Sequence, residues 1–203
     1  MDGRSRFVGI ALIAGALFAI SHYATTRPVE HAGGILVAED PAQTDPDATA
    51  PIEDEGFVLQ PRARFVADAR VLSSERYHLG RLADVAPLDI AVGWGPMSDS
   101  TVLARLDISQ GNRFYYWHYD DEPPIPREVI QTHSANWHLV PANDSIWHAL
   151  RRIRVGDVVH LEGLLVDIDS GETGVMRTST TRDDTGAGAC EIIYVEAVSI
   201  GEG

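Results

Sequence analysis

Apolar and polar positions alternate most regularly between Val155 and Ile200. There V155-G-D-V-V-H-L-E-G-L-L-V-D-I-D169 is followed by a Gly-rich turn, then G174-V-M-R-T-S-T-T181, a second loop R182-D-D-T-G-A-G-A189, and C190-E-I-I-Y-V-E-A-V-S-I200. β-Branched and aromatic runs separated by Gly, Asp and Ser predict a meander of strands. Val159 and Leu161 fall on one phase, and Leu164, Val166 and Ile168 on the other. The change falls at Gly163, which points to a bulge or sharp bend of the kind that coils a strand toward a small barrel.

Upstream, R64-F-V-A-D-A-R-V-L72 reads as a strand with Phe65, Ala67, Ala69 and Val71 on one face. Leu79, Leu82 and Val85 suit a short helix ended by Pro87, and L88-D-I-A-V-G-W94 a further strand. Residues 93–96, G-W-G-P, form a turn around the Trp94 ring. Residues 100–108 fit a strand or a helix. After a turn at Gln110-Gly111-Asn112 comes R113-F-Y-Y-W-H-Y119, the most aromatic run of the chain, with Phe114, Tyr116 and His118 on one face and Tyr115, Trp117 and Tyr119 on the other. A second helix is predicted over 145–154, capped by Asn143 or Asp144 and ended at Gly156. The fold class expected is therefore α+β, mainly β, a small closed or partly open barrel with one or two short helices.

The opening of the chain is different. Arg4 and Arg6 precede F7-V-G-I-A-L-I-A-G-A-L-F-A-I20, a run without charge that Ser21 to Ala24 extend. Two readings compete: a transmembrane signal anchor over 7–24, or a cleaved signal peptide with small residues at Ala19 and Ser21. The anchor reading leaves residues 1–6 in the cytoplasm and carries the remainder across a bacterial inner membrane to the periplasm. Residues 25–57 hold eight acids and no large apolar cluster, which predicts an acidic flexible linker. Residues 58–203 would then form the β-rich soluble domain.

The net charge of -14 and the lack of a basic cluster argue against a nucleic-acid partner, because phosphate neutralisation supplies much of that affinity. Cys190 is the single cysteine, so no disulfide within the chain staples the fold.

Candidate chemistry gathers in H133-S-A-N-W-H-L-V-P-A-N143. Cys190 as nucleophile, His133 or His138 as base and Asn136 as orienter would satisfy the roles of nucleophilic catalysis, whereas Cys190 as a small buried hydrophobe is the plainer reading. No metal-ligand motif is present, and neither a metal nor a cofactor is predicted. Candidate ligand-binding residues are Trp94, Tyr115, Trp117, Trp137, Arg177 and Arg182: aromatic rings suit binding surfaces, and two arginines among hydroxyls suit an anionic or sugar-like group.

The G156-D-V-V-H-L-E-G-L-L165 run with its following hairpin resembles strands of OB-type small barrels. Such a resemblance implies a binding face. H133-S-A-N-W-H-L-V-P-A-N143 and T181-R-D-D-T-G-A-G-A-C-E-I-I-Y-V-E196 resemble bacterial membrane-anchored proteins with no assigned activity. The function expected is a membrane-anchored extracytoplasmic binding or assembly module without catalysis, held through residues 7–24 and engaging a protein partner in the membrane or envelope. The alternative is an exported hydrolase using Cys190 with His133 or His138, or a His/Asp metal site.

Overall fold

The computed structural model describes residues 27–47, 49–171, 174–181 and 189–201. Residues 1–6, the candidate span 7–24 and Arg182 lie outside them. Among the described residues no helix is long and apolar enough to cross a membrane.

The chain is mainly β with a few short helices. Among the described residues ten strands run in order: β1 (Ala42–Thr44), β2 (Ile52–Asp54), β3 (Phe57–Arg76), β4 (Leu88–Gly93), β5 (Asp107–Gly111), β6 (Phe114–His118), β7 (Ser134–Pro141), β8 (Val158–Asp169), β9 (Val175–Met176) and β10 (Glu191–Ile200). The α-helices between them are α1 (Leu82–Val85), α2 (Ser100–Leu103), α3 (Arg127–Thr132) and α4 (Asp144–Leu150). The main sheet passes from β3 through β4, β7 and β10 to β8, and an additional β3–β8 pairing curls it into a partly closed ring. All these pairs are antiparallel except β7–β10.

The interior of the ring follows from strand alternation. Phe65, Ala67, Ala69 and Val71 of β3 face inward with Ile90 and Val92 of β4, Trp137 and Leu139 of β7, and Val159, Leu161 and Leu165 of β8. The Phe65 and Trp137 rings meet at right angles, 5.4 Å between centroids, a favourable crossing of ring quadrupoles. Helix α4, capped by the Asn143 side chain on the Ile146 N–H, adds Leu150 with the following Ile153. It begins one residue earlier than the periodicity predicts and stops at Leu150.

The apparent phase change in β8 has a different cause from a simple bend. Leu165 stays in phase with Leu161 inside the ring, while Leu164, Val166 and Ile168 face a second cluster with Phe57, Leu59 and Ile192. The strand is thus buried on both faces from Gly163 to Val166. The register shifts lie in its partners: between Pro61 and Ala63 in β3, and between Val195 and Ala197 in β10. Gly163 itself pairs with Phe65 on one side and Val195 on the other, and an added Cβ would stand 2.0 Å from the Tyr194 carbonyl oxygen.

The acidic stretch expected to be a flexible linker is instead strapped to the domain. The Val29 N–H donates to the Val155 carbonyl at 2.8 Å, Gly95 N–H to Val37 O at 2.7 Å, and Val37 is buried in the interior cluster. Strands β1 and β2 both pair with β3. The backbone makes most of these contacts, and composition says little about backbone hydrogen bonding. Gly156 permits the first of them: its φ is +91°, and a Cβ there would lie 2.0 Å from Val29 O.

On the outer surface of β8, His160 meets Asp68 at 3.0 Å and Glu162 at 3.2 Å. The Glu162 hydrogen bond raises the imidazole pKa above its ordinary 6.5; desolvation opposes it, and the Asp68 hydrogen bond and the two carboxylate charges add to the rise. Because the folded value is the higher one, this stabilisation is complete below the unfolded pKa and lost as pH rises through the folded one. The side chain is 36% exposed, so the effect is small. His160→Gln is expected to abolish part of the fall in Tm between about pH 6 and about pH 8; parallel pH profiles for the variant and the natural chain would contradict it.

Candidate functional site

With Leu88, Ile90 and Val92 pointing inward, β4 turns Asp89 outward. By the same alternation β7 turns Ser134, Asn136 and His138 outward, since Ala135, Trp137 and Leu139 take the interior. The register sets Asp89 opposite His138, Ala91 opposite Asn136, and Gly93 opposite Ser134. A polar row on the outside of a sheet ordinarily meets water. Here the β5–β6 hairpin lies over it, and Asp89, Ser134, Asn136 and His138 are all buried.

The hairpin is fastened at its tip. Asn112 and Arg113 form the two-residue turn with φ of 54° and 69°, one position beyond the turn the sequence predicts. A non-glycine residue in the left-handed region is unfavourable unless its surroundings hold it. Arg113 is held through backbone and side chain: its N–H donates to the Tyr77 hydroxyl at 3.1 Å, its carbonyl accepts from Asn136 Nδ2 at 3.1 Å, and its Nη1 donates to Ala86 O at 2.7 Å and Asp89 Oδ1 at 2.8 Å. The guanidinium also stacks 3.6 Å from the Tyr77 ring centroid. Burial, and then the Asp89 charge, pushes the Tyr77 phenol above its ordinary pKa.

Along the hairpin, Gln110 Nε2 donates to Asn136 Oδ1 at 2.7 Å, and the Tyr115 hydroxyl meets the Ser134 hydroxyl, which donates to Ile130 O. Burial raises the Tyr115 pKa, so this phenol is neutral and serves as a hydrogen-bonding group. Ile108, Tyr115 and Trp117 pack on a third cluster formed by Leu72, Ala91, Met97 and Ile130.

His138 Nδ1 stands 2.9 Å from Asp89 Oδ1, with both residues buried. Asp89 therefore faces two cationic or potentially cationic partners, one of which, Arg113, is permanently charged. On the β10 side, Asn136 Nδ2 lies 3.9 Å from Cys190 Sγ, a contact between an amide and a half-buried thiol. The structure thus brings Asn136 beside Cys190 and turns His138 Nδ1 toward β4. His133 stands apart at the end of α3, where Nδ1 meets Val129 O and the Thr132 hydroxyl, each at 3.0 Å. Among the described residues no three His, Cys, Asp or Glu side chains converge as metal ligands.

Two of the aromatic residues expected to bind ligand are core: Trp94 is 1% exposed and Trp137 is fully buried. Tyr115 and Trp117 belong to the phase facing the main sheet, while Phe114 and Tyr116 are 39% and 53% exposed. The alternation across the aromatic run is as the sequence predicts; the hairpin's placement decides which phase is covered. Arg177 is exposed near β9, and Arg182 lies outside the described residues. Sequence reading missed Asp89, Gln110 and Arg113. Asp89 sits on the outward phase of its strand, and its burial depends on a hairpin that closes over it from elsewhere in the chain.

No family model, curated protein or solved structure matches this chain.

Proposed function

We propose that the domain is an OB-type barrel serving as a non-catalytic binding or assembly module, held outside the cytoplasm by a membrane anchor at residues 7–24. Five strands, β3, β4, β7, β8 and β10, make a ring with helix α4 between the third and fourth, an arrangement that suits a five-stranded Greek-key barrel. Barrels of this type bind ligands on the face of their second and third strands. In this chain those strands are β4 and β7, and the β5–β6 hairpin occupies their outer face.

That covering is the observation on which the reading rests. The groups best suited to acid–base chemistry, Asp89 and His138, are sealed under the hairpin, and Arg113 neutralises the carboxylate. The cluster acts as a clasp that fixes the hairpin, while Phe114 and Tyr116 present aromatic rings outward. Aromatic anchors of this kind carry much of the energy of protein interfaces. A chain of net charge -14 offers little to a polyanion, so the partner is a protein in the membrane or envelope.

A photocrosslinker placed at Phe114 or Tyr116 of the full chain in intact membranes is expected to capture a defined partner. The same group at Gln110, on the covered side, is expected to give little or none. Monomer alone from both outward positions, with nothing copurifying on gentle extraction, would count decisively against the proposal.

A further inference from the structure

Arg70 lies on the outward phase of β3 yet is only 7% exposed, because residues 95–100 fold over it. Its Nη1 donates to Ser98 O and Ser100 Oγ, both at 2.8 Å, and its Nε has no hydrogen-bond partner among the described residues. No carboxylate pairs with it among those residues. The carboxylate coupled to it electrostatically is Asp99, whose Oδ1 is already engaged by the Gly34 N–H at 2.9 Å, the Thr101 N–H at 2.7 Å and the Thr101 hydroxyl at 2.8 Å. A buried guanidinium without a paired anion is costly, and burial lowers its pKa in consequence.

Arg70 lines a cleft of about 580 Å³ whose walls are partly apolar, including Leu72, Leu103 and Val155. Residues 28–31 form one side, fixed by the Val29 N–H on Val155 O and by His31 Nε2 on Gly156 O, each 2.8 Å. Glu30 and Asp107 also line it, but both are exposed, so water screens their repulsion of an anion more than it screens the attraction of Arg70. A planar guanidinium at a cleft wall is matched by an oxyanion, and apolar walls by an apolar body.

We propose that this cleft binds an oxyanion, a phosphate or carboxylate group carried on an apolar body, with Arg70 as its buried cation. The oxyanion has two sources, a soluble metabolite or an anionic lipid headgroup. The wall at residues 28–31 begins four residues beyond the candidate span, so an anchored chain would hold the cleft near the bilayer surface. Only the lipid source depends on the anchor.

The test uses the full chain in neutral maltoside micelles, with Tm as the readout. The probes are inorganic phosphate and micelles doped with either phosphatidylglycerol or phosphatidylcholine. At a probe concentration about a hundredfold above Kd, Tm is expected to rise by about 5 °C or more. Arg70→Met should lose this rise. Ala104→Trp, which narrows the cleft from an exposed position and leaves the arginine in place, should lose it too. A response to phosphate identifies a soluble anion; a response to phosphatidylglycerol alone identifies the headgroup. No rise with any probe, or a rise retained in both variants, overturns the site.

Discussion

Asp89→Ala is expected to cost the full chain about 3 kcal/mol of unfolding free energy, the lower end of the range for breaking a buried ion pair. The variant leaves Arg113 and His138 under the hairpin without their shared carboxylate. The loss stays at the lower end because the Arg113 side chain keeps 16% of its surface in water and can rehydrate in part. Urea unfolding supplies the measurement, and Asp89→Ala combined with Arg113→Met supplies the control. The double variant removes the orphaned cation as well, so it should recover part of the loss. If Asp89→Ala melts within about 1 kcal/mol of the natural chain, or the double variant recovers nothing, the clasp does not hold the hairpin.

Gly163→Ala is expected to be at least as damaging. The new methyl group would meet the Tyr194 carbonyl oxygen at 2.0 Å, its carbon at 3.0 Å and Val195 Cα at 3.2 Å. All three are backbone atoms, so no side chain can rotate to make room and β8 must separate from β10. Overpacking commonly costs about 1–3 kcal/mol, and a clash relieved only by parting two strands of a ring belongs at or above the top of that range. Gly111→Ala is the matched control, since nothing lies within 4 Å of a Cβ there. Similar melting temperatures for the two variants would show that β8 and β10 have slack at this crossing.

Strands β4, β8, β10 and the middle of β3 were legible in the sequence because each carries its own alternation, whereas β7, inside the polar run 133–143, was not. Phe65 to Val71, Leu88 to Val92 and Val159 to Leu161 announce an inward face without reference to any other part of the chain. The short cap at Asn143 was equally local. Burial produced by a distant segment was not readable. Asp89 and Arg70 both occupy outward strand positions, and each is covered by residues from the stretch between β4 and β7. For the same reason Tyr115 and Trp117 looked available for ligands, while Phe114 and Tyr116 proved to be the exposed pair. The acidic stretch after residue 25 misled in the opposite sense: its composition argued for disorder, but Val37, β1 and β2 dock it through a handful of backbone contacts.

The pairing of β3 with β8 also sets the order of events during synthesis. Phe65 finds Gly163 across roughly 100 residues of intervening chain, so the two strands close late in any folding sequence. Until then β3, the longest strand, carries an unsatisfied edge of alternating apolar residues that invites pairing with other chains. High contact order of this kind favours slow folding and makes incomplete chains prone to aggregate. Truncation before residue 158 should therefore yield insoluble product, whatever the stability of the β5–β6 hairpin within it.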